Sequence, residues 1–319
     1  MNIEYHYYII YLIAIASGFE MHEAYKIAYS SQYVDDNYIK YDIYSNIEKD
    51  EHVYRNLVSG INIREMFINM GEEIKETLTI FHLLPGDKEV SNNRRDGKDH
   101  SFKPTKNSEL ANTILEQALN SKNLYWIGVA SHAYADSWAH QNFVGTLSDF
   151  NAFPEGVLSP NIAHCDAFDK PDLVGLIWED PRLKRKKVNN VDRFLDTSEK
   201  LINWYRKYTN NIHSDIDGVL SELKKIMMNN GKNSYFDVKR LENNRIKQYD
   251  NLAKKLTSFD ILKYDKNKWY NEAVKLMNNG KSHWNDEQYK RYDWYQFQEA
   301  VKLHYKSVKS ELALRQIEL

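Results

Sequence analysis

Apolar positions recur at helical spacing through most of this chain. Residues 5–17 form a nearly unbroken apolar run closed by Gly18, which predicts a buried helix. Residues 21–34 predict a second, with Glu23 in its first turn and the adjacent acids Asp35 and Asp36 just beyond it. Another helix is expected within 54–80, leading into Ile80-Phe81-His82-Leu83-Leu84 and a Pro85-Gly86 turn. Residues 107–119 and 123–140 read as two more. From Arg182 onward the pattern becomes Lys-, Asn- and Glu-rich, with amphipathic helices expected over 191–210, 214–228, 237–256, 267–278 and 286–314. Asn229-Asn230-Gly231 and Asn278-Asn279-Gly280 separate them as loops. Between the helices, residues 87–107 read as a polar surface loop whose Arg94 and Arg95 can present cations to an anionic substrate. Residues 143–172, with Gly145, Pro154, Gly156, Pro160 and Pro171, read as irregular.

Few stretches alternate with the period of a strand, so the expected fold class is all-α: one multi-helical domain over 1–319. Candidate chemistry is concentrated in residues 1–172, and 182–319 reads as scaffold or cover. Charge narrows the function little. A formal net charge of −2 and a pI near 6.6 provide no global basic field for nucleic acid and no acidic tail. The single cysteine, Cys165, excludes an intrachain disulfide and fits a reducing compartment. The apolar run Ile9 to Ala16 lacks a basic flank and is too short to span a bilayer. The expected location is therefore cytoplasmic, with export by a route that needs no cleaved signal left open.

The segment Ser131-His132-Ala133-Tyr134-Ala135-Asp136-Ser137-Trp138-Ala139-His140 changes this picture. It is Ala-rich and free of Gly and Pro, so His132, Asp136 and His140, each four residues from the next, project from one helix face. Eight residues at about 1.5 Å each separate the outer pair by about 12 Å, too far for both imidazoles to close on one ion at bond lengths of about 2 Å. The row implies two or more metals with Asp136 as a bridging carboxylate, and Zn²⁺ suits imidazole and carboxylate together. The plain alternative is two ordinary helix histidines with Asp136 paired to a neighbour. Other candidates accumulate upstream and downstream, however: His6, Asp35 or Asp36, His82, and the stretch His164-Cys165-Asp166-Ala167-Phe168-Asp169-Lys170-Pro171-Asp172.

In that order the ligand types resemble the zinc-dependent phospholipase C and fungal single-strand-specific nuclease superfamily. More closely, Glu4-Tyr5-His6-Tyr7-Tyr8, Ser31-Gln32-Tyr33-Val34-Asp35-Asp36, Phe81-His82-Leu83-Leu84-Pro85-Gly86, His132 to Gly145 and Phe297-Gln298-Glu299-Ala300 resemble an uncharacterised bacterial family that looks like a distant branch of it. The resemblance implies a multi-helical fold around a trinuclear zinc cluster. By that likeness Asp35 and His82 share one zinc with His132 and Asp136. Asp136 bridges to a second held by His6 and the chain terminus, and His140 and His164 with an acid hold a third.

This chain departs from the superfamily twice. The superfamily's terminal Trp is missing, but Met1 stands at the same distance before His6, so its amine is the expected substitute. The position four after His164 is Phe168 instead of an acid, which leaves Asp166, Asp169 or Asp172, of which Asp172 is preferred. The implied function is phosphoester hydrolysis at two to three Zn²⁺ ions, with Asp35, or Asp36 if the register slips, orienting or deprotonating water. The substrate, phospholipid or nucleic acid, is left open. The alternative from another class is a catalytically inactive, metal-stabilised helical interaction module.

Overall fold

A computed structural model of the protein describes residues 1–45, 53–62, 71–90, 93–154, 160–211, 215–278 and 280–318. A π-helical segment, Glu4–Ile9, runs into α1 (Ile10–Ala16). Reciprocal bonds between Glu20 and Glu23 cap the start of α2 (Met21–Asp36). α3 (Glu72–Thr77) runs into a second π segment, Leu78–His82. The Ser108 and Asn123 side chains accept the first free N–H groups of α4 (Glu109–Ser121) and α5 (Leu124–Ala139). Then follow α6 (Asn190–Thr209), α7 (Ile216–Met228), α8 (Tyr235–Arg240), α9 (Glu242–Thr257), α10 (Lys268–Ala273) and α11 (Asp293–Leu314).

α5 is the axis of the molecule. It is buried on every side from Tyr125 to Ala139, as expected of a helix without a polar face, and α2, α4, α6 and α11 pack around it. Gly128 allows α2 to approach: a Cβ there would lie 2.4 Å from the Ile27 carbonyl oxygen and 2.5 Å from Ser30 Cβ. One cluster of buried apolar side chains extends from Met1 to Leu312, so both halves of the chain share a core. A second, smaller cluster joins Leu78, Leu83, Phe143 and Ala163 to Trp178, Val188 and Val238. No helix among the described residues is long and apolar enough to cross a membrane.

The chain is helix-rich without being all-α, and that expectation is corrected. β1 (Asp42–Tyr44), β2 (Val53–Arg55), β3 (Ile177–Glu179), β4 (Lys187–Asn189), β5 (Val274–Leu276) and β6 (Ser282–Trp284) make two small sheets. One has the order β2-β1-β6-β5, with β1 and β6 parallel and the other pairs antiparallel; the second is the β3–β4 hairpin. Strands of three residues are too short to show alternation. What stabilises the larger sheet is nonlocal: Tyr54 and Trp284 pack on each other and on Trp294 of α11, with ring centroids 5.3 to 6.2 Å apart.

Some helix boundaries differ for local reasons. The expected 237–256 helix is divided at Leu241, the 267–278 helix gives way to β5 where Val274 turns extended, and the last helix begins at Asp293. Residues 63–70 of the expected 54–80 helix, and Gly156, lie outside the described residues. Arg94, expected on a surface loop, is buried, with both guanidinium edges committed to Asp96 and the Phe150 carbonyl.

An ion pair fixes the first π segment. Arg245 of α9 grips both carboxylate oxygens of Glu4 at 2.6 and 2.7 Å, and both side chains are fully buried. Removing one partner of a buried pair leaves an uncompensated charge. Arg245→Ala is therefore expected to lower unfolding stability by about 3–5 kcal/mol, read as a lower melting temperature. An unchanged melting temperature would show that the pair contributes nothing.

Candidate metal centre

The candidate ligands arrive from five places: the first π segment with the chain terminus, the end of α2, the second π segment, α5, and the loop before β3. His6 and His82 both sit in π segments, whose wider winding is frequent at functional sites. At the end of α2 the chain doubles back closely. Gly60 is required there, because a Cβ would lie 2.2 Å from the Asp35 carbonyl oxygen. That approach places the Ser59 carbonyl against His82.

Backbone carbonyls set the histidine tautomers. His82 Nε2 donates to the Ser59 carbonyl at 2.8 Å and His132 Nδ1 to the Ser31 carbonyl at 2.8 Å. His140 Nδ1 donates to the His82 carbonyl at 2.9 Å, and His164 Nδ1 to the Phe168 carbonyl at 2.6 Å. A carbonyl only accepts, so in each neutral ring the other nitrogen is a bare lone pair. Ligating histidines are commonly oriented in this way by an outer partner.

Those lone pairs converge on carboxylates. His82 Nδ1 and His132 Nε2 face each other at 3.1 Å, and Asp136 Oδ2 lies 3.3 and 3.2 Å from them. Asp35 Oδ1 lies 3.7 Å from both nitrogens. Four acceptors with no hydrogen to share repel one another, unless a cation sits between them. A tetrahedral ion with bonds of about 2.0 Å separates its ligands by about 3.3 Å, which matches this spacing.

Asp136 turns its other oxygen to a second set. Oδ1 accepts from the Met1 amine in a very short contact and lies 3.1 Å from His6 Nε2. The His6 ring stacks on His132 with centroids 3.8 Å apart, close enough to form a group with Asp35 as well. In the third set, His140 Nε2 and His164 Nε2 lie 2.8 and 3.5 Å from the two oxygens of Asp172, and the Met1 amine is 3.3 Å from the nearer oxygen. Three groups, His82-His132-Asp136, His6-Asp35-His132 and His140-His164-Asp172, thus have the geometry to hold a metal ion. They border a cavity of about 260 Å³ whose wall includes Ile61, Leu78 and Leu83.

The charges respond to this crowding. Burial disfavours the Met1 ammonium, but Asp136, Asp172 and Asp35 outweigh it and push its pKa up to about 11. Burial also works against a charged His82, and the bond to Asp136 with the charge of Asp35 overcomes it, raising the pKa. Asp136 and Asp172 are held well below the usual carboxylate range, because the ammonium and surrounding histidines outweigh their burial. Burial raises Asp35 and lowers His6 and His164.

Met1, His6, Asp35, His82, His132, Asp136, His140, His164 and Asp172 are therefore brought together. Asp36 is not: its carboxylate turns away and accepts from Tyr264 at 2.8 Å and Gln32 at 3.3 Å, so the catalytic reading of Asp36 is withdrawn. The other acids of the loop are committed elsewhere, Asp166 to the Phe153 amide and Asp169 to Tyr235 and Lys239. Phe168 contributes its carbonyl while its ring is exposed. The orienting carbonyls of Ser31, Ser59 and Phe168 carry no side-chain signal by which the sequence could have revealed them. Arg245 was equally hidden among the cations of α9.

No curated protein and no solved structure matches the chain. A family model does match, over residues 1–312. That span includes every residue of the three groups, and the chain belongs to the family of unknown function DUF6765.

Proposed function

We propose that this chain is a zinc-dependent phosphoester hydrolase, a distant branch of the zinc-dependent phospholipase C and single-strand-specific nuclease superfamily with its multi-helical fold. The observation that carries the reading is the set of opposed lone pairs of His82 and His132 beside Asp136 and Asp35. Imidazole and carboxylate donors together favour Zn²⁺ over the oxygen-preferring Mg²⁺.

His82, His132, Asp35 and Asp136 would hold one ion, Asp136 with His6 and the Met1 amine a second, and His140, His164 and Asp172 a third. Divalent ions bound there supply Lewis acidity toward a phosphoryl oxygen and make water acidic enough to attack near neutral pH. Asp35 is the most accessible carboxylate of the set, with 35% of its side chain exposed against 1% for Asp136, so it orients the attacking water and takes its proton. Ile61, Leu78 and Leu83 limit solvent at the cavity wall. The second reading, an inactive metal-stabilised module, is favoured by the near-complete burial of His6, His132 and Asp136.

Turnover separates the two. Chelator-sensitive hydrolysis of a chromogenic phosphodiester, restored by Zn²⁺ and lost in His132→Ala with the helical spectrum retained, is the expected result. Bound metal without turnover of that ester, phospholipid vesicles or single-stranded DNA would establish the inactive module.

Metal must also compete with protons. The Met1 amine and His82 have raised pKa values in the metal-free protein and ligate only when deprotonated, so affinity rises with pH and is lost on acidification. Calorimetric titration with Zn²⁺ in buffers of different ionisation enthalpy is expected to show at least one proton released per chain near pH 7. Zero release would place the amine outside the coordination set.

A further inference from the structure

Five exposed cations are carried by two backbone segments that pair with each other. Lys184, Arg185, Lys186 and Lys187 occupy the tip and second strand of the β3–β4 hairpin. Arg95 is brought alongside, because the 93–95 backbone pairs with this hairpin through Lys184 N to the Asn93 carbonyl at 2.7 Å and Arg95 N to the Arg182 carbonyl at 2.8 Å. None of these five makes an ion pair with another described residue. The nearby acids Asp96 and Asp180 are already gripped by the buried Arg94 and Arg182. Glu179 lies opposite Lys187 across the hairpin, Asp149 lines the adjoining groove, and Asp99 pairs with Lys103. On a chain of net charge −2, this is a marked local excess of positive charge.

Next to these paired segments is a groove of about 590 Å³, lined by Arg95 and Lys98, by Asp149, Phe153 and Pro154, and by Pro181 before the hairpin tip. It is tied to the ligand loop. Arg182 lies 4.1 Å above the Phe143 ring, which meets the ligand His164 edge-on at 6.0 Å. Asn190, directly after β4, donates to the Lys170 and Leu173 carbonyls on either side of Asp172.

We infer that this cationic face is a docking surface for single-stranded nucleic acid, with the lysines and arginines tracking phosphates and the apolar wall receiving bases. The role of the docked strand as substrate rests on the hydrolase reading; the docking itself does not. Repeated cations beside ring surfaces are the combination that single strands use. A membrane would require exposed apolar side chains among the cations, and no large apolar side chain is exposed within residues 93–98 or 177–189.

The probe is a fluorescent oligothymidylate added to chelator-treated full-length protein, so that binding is read without cleavage. Binding is expected to weaken steeply with salt. The combined variant Lys184→Ser, Arg185→Ser, Lys186→Ser and Lys187→Ser is expected to bind at least about tenfold more weakly, with its salt slope shallower by about 0.7 for each phosphate that is no longer neutralised. Arg95→Glu, in the lining of the groove itself, should weaken binding as well and keeps the test valid if the first variant misfolds. A methylphosphonate oligothymidine, which lacks backbone charge, should not bind. Unchanged binding by both variants, equal binding of the neutral probe, or binding to phosphatidylserine vesicles without binding to the oligonucleotide would overturn the inference. Turnover of a small phosphodiester is measured separately on untreated protein. Turnover without oligonucleotide binding defeats docking alone, and binding without turnover defeats the hydrolase reading alone.

Discussion

Asp136→Asn is expected to strip metal from the protein while leaving it folded. Asp136 turns its two oxygens to different groups, Oδ1 toward the Met1 amine and His6, Oδ2 toward His82 and His132. An amide keeps one acceptor for the amine and turns an N–H toward the two imidazole lone pairs, so the metal-free hydrogen-bond network survives the exchange. The same N–H occupies the position a cation needs and removes the shared negative charge. Loss of an outer hydrogen bond to a ligand alone costs up to about 100-fold in metal affinity or activity, so loss of the bridge should cost more, for both ions it touches. Elemental analysis beside a circular dichroism melt reads this directly. A variant that retains the wild-type metal content would show that Asp136 is only a charge partner of the terminal amine.

Zinc is expected to raise the melting temperature of chelator-treated protein strongly, whereas magnesium at the same concentration does not. Without a cation, the lone pairs of His82 and His132 remain opposed at 3.1 Å, relieved only by protonation. An ion that binds the folded chain and not the unfolded one stabilises it by about 2.7 kcal/mol at one hundred times its dissociation constant. At about 2 °C per kcal/mol for a chain of this size, one filled group shifts the midpoint by about 5 °C, and further groups add to it. Differential scanning calorimetry across a zinc titration measures the effect. Equal shifts with magnesium would point to a site built from oxygen donors instead.

Much of this centre was readable because its middle lies on one helix. The spacing of His132, Asp136 and His140 forces one face and forbids one ion; α5 carries the first two, His140 caps its C-terminus, and the outer histidines enter different groups. Asp172 was distinguishable from Asp166 and Asp169 only weakly, by its place beside Pro171; the fold separates them through the Phe153 amide and Lys239. The choice between Asp35 and Asp36 depended on the last turn of α2, where one residue rotates a side chain by about a quarter turn or more. There the fold assigns Asp36 to Tyr264.

Other features left no local trace. Apolar periodicity cannot distinguish the two π segments from ordinary helix. β1 pairs with β6 across most of the chain length, Ile43 opposite Ser282, with three residues on each side. Arg94 sits in a polar stretch that reads as exposed loop, yet Asp96 and the Phe150 carbonyl satisfy its charge inside. Such partners can be found only once the chain has been folded.

The central claim is that buried imidazoles and carboxylates from five separated segments form one metal centre. Its most direct test is elemental analysis of the protein purified near neutral pH without chelator. Two to three zinc ions per chain are expected for the three groups, and no more than one in Asp136→Asn, held by His140, His164 and Asp172. Wild-type protein with no more divalent metal than a chelated control, and no uptake when zinc is added back, would contradict it.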